Sequence, residues 1–110
     1  MVFGLIRAVK GSANILAKAH INELEKRLST FVEEGKEHIK KVTKHLCPDF
    51  ETNKREYVNS FVVGTINIDK EFEGQAYLKY LSLEEIDEYR LTLNKIIDSK
   101  IEELKSYKIE

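Results

Sequence analysis

The feature that most constrains this chain is a stretch of helical periodicity too long for a sphere of its own size. From Ser12 to Leu46, the residues Ile21, Leu24, Leu28, Val32, Gly35, Ile39, Val42 and Leu46 recur at steps of three and four. That is the period of an α-helix with one apolar face. Lys18, Glu25, Lys26, Glu33, Lys36, Glu37, Lys40 and Lys44 occupy much of the remaining surface. Glu23 with Arg27, and Glu37 with Lys41, stand in the i, i+4 order that favours ion pairs along a helix. Cys47-Pro48 ends the run, because a proline disfavours helical geometry in the residue before it. Gly35 lies on the apolar seam. It either weakens the helix by about 1 kcal/mol relative to alanine or lets another part of the chain approach closely.

A helix over residues 12–47 would be about 50 Å long. A globule of 110 residues measures roughly 26 Å across, taken as twice its expected radius of gyration. The helix must therefore project, break near Gly11-Ser12 or Gly35, or find a partner. This mismatch favours a homodimer, with Ile21, Leu24, Leu28, Val32, Gly35 and Ile39 as the candidate interface.

Residues 49–56 are polar and read as a connector. The period then changes. Val58, Val62, Ile66 and Ile68 share one parity in a stretch rich in aromatic and β-branched residues. After Asp69-Lys70, Phe72, Gly74, Ala76, Leu78 and Tyr80 alternate with polar positions, Tyr77 being the exception. Alternation predicts a strand with one wet face, and two such strands in sequence predict an antiparallel hairpin over residues 57–80. Ser82-Leu83-Glu84-Glu85 has the spacing of a capping box. Ile86, Tyr89, Leu93, Ile97, Ile101 and Leu104 follow at helical steps, predicting an amphipathic helix over 82–107. The expected fold class is α+β: a long N-terminal helix, an antiparallel β-hairpin and a C-terminal helix (α-β-β-α). Residues 1–110 form a single, dimeric domain, with residues 1–11 as an amphipathic arm ahead of the first helix.

The chain is 42% hydrophobic and 34% charged, with one proline and five glycines, a globular rather than a disordered balance. Its single cysteine, Cys47, excludes an intramolecular disulfide framework and favours a reducing compartment. No apolar run reaches the roughly 18 residues of a membrane span, and no basic segment precedes the apolar opening as in a signal peptide. A cytoplasmic protein is expected. Charge divides unevenly: +4 over residues 1–55 and −5 over residues 56–110. Opposite halves of this kind attract within one fold or between two copies.

The candidates for chemistry are sparse. His38, His45, Cys47, Glu34 and Asp49 lie near one another, but His45 is roughly 10.5 Å along a straight helix from His38, too far to share an ion. No metal-binding signature accompanies them. Cys47 reads as a small buried hydrophobe, since a helix C-terminus disfavours a thiolate. Asp69, Glu71 and Glu73 imitate the start of a calcium loop but lack its closing glutamate, because Tyr80 stands at the twelfth position. Neither a catalytic residue nor a metal or cofactor site is expected. Lys36, Lys40, Lys41, Lys44, Lys54 and Arg55 make the most basic stretch and could meet phosphates along a nucleic acid. Glutamates at 33, 34 and 37 interrupt it. Val2, Leu5, Ile6, Val9, Ala13 and Leu16 suit an amphipathic segment on a membrane surface.

The leading expectation is a small non-enzymatic protein–protein interaction or regulatory module, of the adaptor, inhibitor or immunity type, acting as a homodimer with a protein partner. The alternatives are a nucleic-acid-binding regulator using residues 36–55, and a peripheral membrane protein using residues 2–18.

Overall fold

The computed structural model describes the backbone of residues 2–109 and the side chains of residues 11–109. The chain is an all-α three-helix bundle, with no strand among the described residues. Helix α1 spans Val2–His45, α2 Phe50–Glu73 and α3 Leu83–Lys105, and a 3-10 segment, Ala76–Tyr80, joins α2 to α3.

The expected α+β fold and its hairpin over 57–80 are therefore wrong. Residues 57–73 continue a helix whose buried side is Val58, Phe61, Thr65, Ile68 and Phe72, at steps of three and four. Helical packing of that stripe overrides the strand preference of Val62, Val63 and Ile66, which instead lie exposed on α2. Asp49 opens α2, its carboxylate accepting from the Thr52 backbone N–H at 3.1 Å and from the Thr52 hydroxyl at 2.8 Å. The alternation after residue 70 spans the end of one helix and a separate 3-10 turn. Tyr77, the residue that breaks the alternation, is the buried one.

Helix α1 runs unbroken through Gly11 and Gly35. The molecule is a rod of 66 × 18 × 17 Å, so the spherical estimate fails because three helices lie nearly side by side. A helix of 44 residues is about 66 Å long, which matches the long axis. Its length alone requires no second copy. The expected interface residues Ile21, Leu24, Leu28, Val32 and Ile39 are at most 5% exposed inside the chain's own core. Gly35 is buried as well. The Tyr57 ring lies directly over it, and a Cβ there would clash with Cε1 and stand 2.6 Å from Cζ. Close approach, not a kink, is what Gly35 provides.

Helix α2 runs antiparallel to α1. Asn53 meets Thr43 at one end (2.9 Å) and Glu71 meets Arg27 towards the other (3.1 and 3.2 Å). Helix α3 is parallel to α1, with Tyr89 bonded to Asn14 at its start and Glu103 paired with Lys36 near its end. The expected arm, residues 1–11, falls mostly on side chains outside the described residues. Its backbone from Val2 belongs to α1.

The helix ends are closed by local chemistry. Asn53 donates to the Cys47 carbonyl beyond the end of α1 (2.8 Å). Lys54 donates to the Lys105 and Tyr107 carbonyls at the end of α3 (2.9 and 3.4 Å). The capping box expected at Ser82 is formed in both directions, Glu85 N–H to Ser82 Oγ at 3.1 Å and Ser82 N–H to the Glu85 carboxylate at 3.0 Å. Leu93, Ile97 and Leu104 of α3 complete the core.

Candidate functional site

Helix α2 stops at Glu73, and α3 does not begin until Leu83. Between them only the five-residue 3-10 segment lies against the N-terminal part of α1. A helix would have filled the gap, whereas this thin segment leaves a cleft of about 700 Å³. One wall is α1, through Ser12, Leu16, Ala19 and Glu23. The other holds Ala76, Tyr77 and Tyr80. Leu16 is 55% and Tyr80 51% exposed, so the walls present apolar area to the outside. The α1 positions are spaced four, three and four, with small residues on either side of Leu16. That is the surface repeat by which one helix receives the side chains of another.

At the inner end of the cleft, four side chains from three elements meet. His20 Nδ1 lies 2.9 Å from the Tyr77 hydroxyl, and His20 Nε2 lies 3.1 Å from Glu71 Oε2. Arg27 grips both oxygens of the same carboxylate and also reaches Glu23 at 3.3 Å. The Arg27 hydrogen bonds hold the Glu71 carboxyl below its usual range, with His20 assisting. In return Glu71 raises Arg27 further. Burial pushes the Tyr77 hydroxyl up to about 12, with Tyr89 and Glu71 adding to the effect. A carboxylate only accepts, so neutral His20 carries its proton on Nε2 and leaves Nδ1 bare. Tyr77 then donates to His20. These groups satisfy one another, and the junction fastens the 3-10 segment to α1 and α2.

A smaller cleft, about 400 Å³, lies farther along the α1–α2 seam, between Arg27 and Phe31 on one side and Tyr57, Ser60 and Gly64 on the other.

The residues singled out from sequence do not gather at either cleft as a set. Lys36 pairs with Glu33 and Glu103 (3.4 and 3.1 Å), and Lys54 closes the end of α3. Two of the six basic candidates thus hold the bundle together. Lys40, Lys41 and Lys44 are exposed near the end of α1, while Arg55 lies 3.4 Å from the Thr52 hydroxyl. His38 packs beside Tyr57 with ring centroids 5.8 Å apart. Cys47 is exposed, which corrects its reading as a buried hydrophobe; it lies in the short turn between α1 and α2. Asp69, Glu71 and Glu73 are helical, and Glu73 lies 3.7 Å from Arg90. Among the described residues, no three His, Cys, Asp or Glu side chains are grouped to hold a metal ion. No described helix is long and apolar enough to cross a membrane.

Sequence reasoning missed His20. Its partners lie 51 and 57 residues away, and no local spacing marks them. No family model, curated protein or solved structure matches the chain.

Proposed function

We propose that this chain is a non-catalytic interaction module that receives an amphipathic helix of a protein partner in the cleft between α1 and the 3-10 segment. The observation that carries this reading is the cleft itself, open and apolar, with the four-three-four spacing of Ser12, Leu16, Ala19 and Glu23 along one wall. In helix-in-groove binding the incoming helix supplies apolar anchors at such intervals, and Leu16 and Ala19 are the apolar wall positions for them to meet. The neighbouring polar groups favour binding over chemistry. His20, Glu71, Arg27 and Tyr77 are committed to one another and hold the wall in place.

The test compares Leu16→Glu in the cleft with Lys40→Glu on the outer side of α1. Both positions are exposed, so circular dichroism should show both variants folded. Any complex formed by the wild-type chain, with another protein or with a second copy, should survive Lys40→Glu and weaken at least about tenfold with Leu16→Glu. Complexes that form equally well with Leu16→Glu would refute the cleft as the binding surface.

A further inference from the structure

Helix α1 does not start at the cleft. The wall formed by Ser12, Leu16, Ala19 and Glu23 is continued towards the start of α1 by Val9, Leu5 and Val2, placed by the helical backbone and the sequence alone. From Val2 to Ala19 the steps are three, four, three, four and three. That is a heptad seam, the repeat by which two helices lock side chains together. Only its second half borders the cleft. The half ahead of it, Val2 to Ser12, is about 15 Å long, and the cleft wall from Ser12 to Glu23 is about 16 Å.

The seam is self-complementary when two copies run antiparallel. Val2 then faces the partner's Ala19, Leu5 faces the partner's Leu16 and Val9 faces the partner's Ser12, and the two-fold axis repeats each layer. Every layer joins an apolar residue to an apolar or small one. Parallel pairing would bring both bundles to the same level, whereas antiparallel pairing sends them to opposite ends. Charge agrees with this register. The first turn of α1 has no acidic side chain, and the first acid in the sequence is Glu23. A helix start carries partial positive charge and is stabilised by a nearby carboxylate. In the antiparallel arrangement the start of α1 arrives near the partner's Glu23, one of the residues lining the cleft.

We propose that the helix the cleft receives is the first part of α1 from a second copy of this chain, residues 2–12, exchanged reciprocally in an antiparallel dimer. This names the occupant and rests on the proposal that the cleft binds a helix. The seam is short, so the dimer forms at high concentration and the dilute chain is a monomer with its cleft open.

The experiment is analytical ultracentrifugation of the full chain from micromolar to millimolar concentration at low salt, with circular dichroism to check that each variant is folded. The wild-type chain should pass from monomer to dimer. Leu5→Lys and Leu16→Glu each place a lone charge in the seam and should weaken the dimer about tenfold or more. Neither touches the buried core, which among the described residues begins at Ala13. Carried together in one chain, the two substitutions face each other across the two-fold axis as opposite charges. The double variant should then dimerise about tenfold more tightly than either single variant. Two losses of apolar surface with no contact between them would instead add. A wild-type chain that stays monomeric throughout would overturn the dimer but not the cleft, which is judged by Leu16→Glu on complexes with other proteins. A dimer that resists Leu5→Lys yet is lost with Leu16→Glu would also overturn it, the cleft then holding a different segment. Loss in both single variants without recovery in the double one would overturn the register and with it the proposal. A dimer indifferent to both substitutions would refute the exchange and the cleft together.

Discussion

The two ends of the rod are built from the same helices and finished in opposite ways. Where α1 ends, α2 begins and α3 ends, side chains close the bundle except for a small cleft of about 200 Å³ beside His38, Asn53 and Tyr57. Tyr57 covers Gly35 and bonds to the Phe31 carbonyl at 3.1 Å. Lys36 ties α1 to α3, Lys54 closes α3, and Phe50 stacks edge-on against Tyr107 with centroids 5.9 Å apart. Towards the other end a 3-10 segment stands in for a helix, and among the described residues the cleft beside Leu16 stays open. Closure therefore depends on what lies alongside α1 at each level rather than on α1 itself, whose buried stripe runs from Ala13 to Ile39. The buried face is covered along its whole length, and what the cleft leaves open is the flank of α1 beside it, at Leu16.

The largest expected effects set the sealed core against the open wall. Leu28 is 1% exposed, and Leu28→Ala should cost about 2–5 kcal/mol in urea denaturation, from lost burial plus the cavity left behind. Leu16→Ala, at a half-exposed position, should stay within about 0.5 kcal/mol. If the two substitutions cost the same, the ends do not differ as described.

Next come two glycines inside helices. Alanine is the better helix former by about 1 kcal/mol, so space decides the sign. At Gly64 an added Cβ meets nothing within 4 Å, and Gly64→Ala should stabilise the fold by up to about 1 kcal/mol. At Gly35 the same methyl strikes the Tyr57 ring, and Gly35→Ala should destabilise by about 1–3 kcal/mol from overpacking. Truncating Tyr57 to Ala should remove most of that penalty in a double-mutant cycle. Ser82→Ala, at the start of α3, should cost about 1 kcal/mol by thermal or chemical denaturation.

The remaining effects are in pH dependence at the open end. Burial raises Tyr77 to about 12, so its contribution is fully present below the ordinary tyrosine value of 10.0. It is lost as pH rises through the folded value, because the unfolded chain releases the proton first. Glu71 works in the opposite sense. Its carboxyl is held below the ordinary 4.5, so its contribution is present above 4.5 and is lost as pH falls through the lower folded value. Stability profiles of Tyr77→Phe and Glu71→Gln should each lose the corresponding limb.

Much of this architecture could be read in the residues. The spacing of Ile21 to Ile39 marked the buried face of α1, although the same stripe suggested an interface with a second copy. Side chains of α2 and α3 cover it instead, and sequence does not say which chain supplies the cover. Ser82 and Glu85 announced α3 because a capping box is a local, two-residue device. Helix α2 was misread for an equally physical reason. Val62, Val63 and Ile66 carry strand preference on the exposed side, while the helical signal of Val58, Phe61, Thr65, Ile68 and Phe72 depends on knowing which residues are buried. Asp49 and Thr52, directly after Pro48, were the local start signal that could have restored it. The cleft could not be foreseen, because it arises from how far α2 extends beside α1. The junction of His20, Glu71 and Tyr77 joins residues that only tertiary packing brings together.

Native-state hydrogen exchange at a single pH, with His20 neutral, tests the difference between the two ends most directly. Amides of Leu28, Val32 and Ile39 should exchange only through global unfolding, while Leu78 and Leu81 should exchange through local opening at least about a hundredfold faster after intrinsic correction. Uniform protection along the rod, with the 3-10 segment as slow as the middle of α1, would contradict a molecule closed at one end and open at the other.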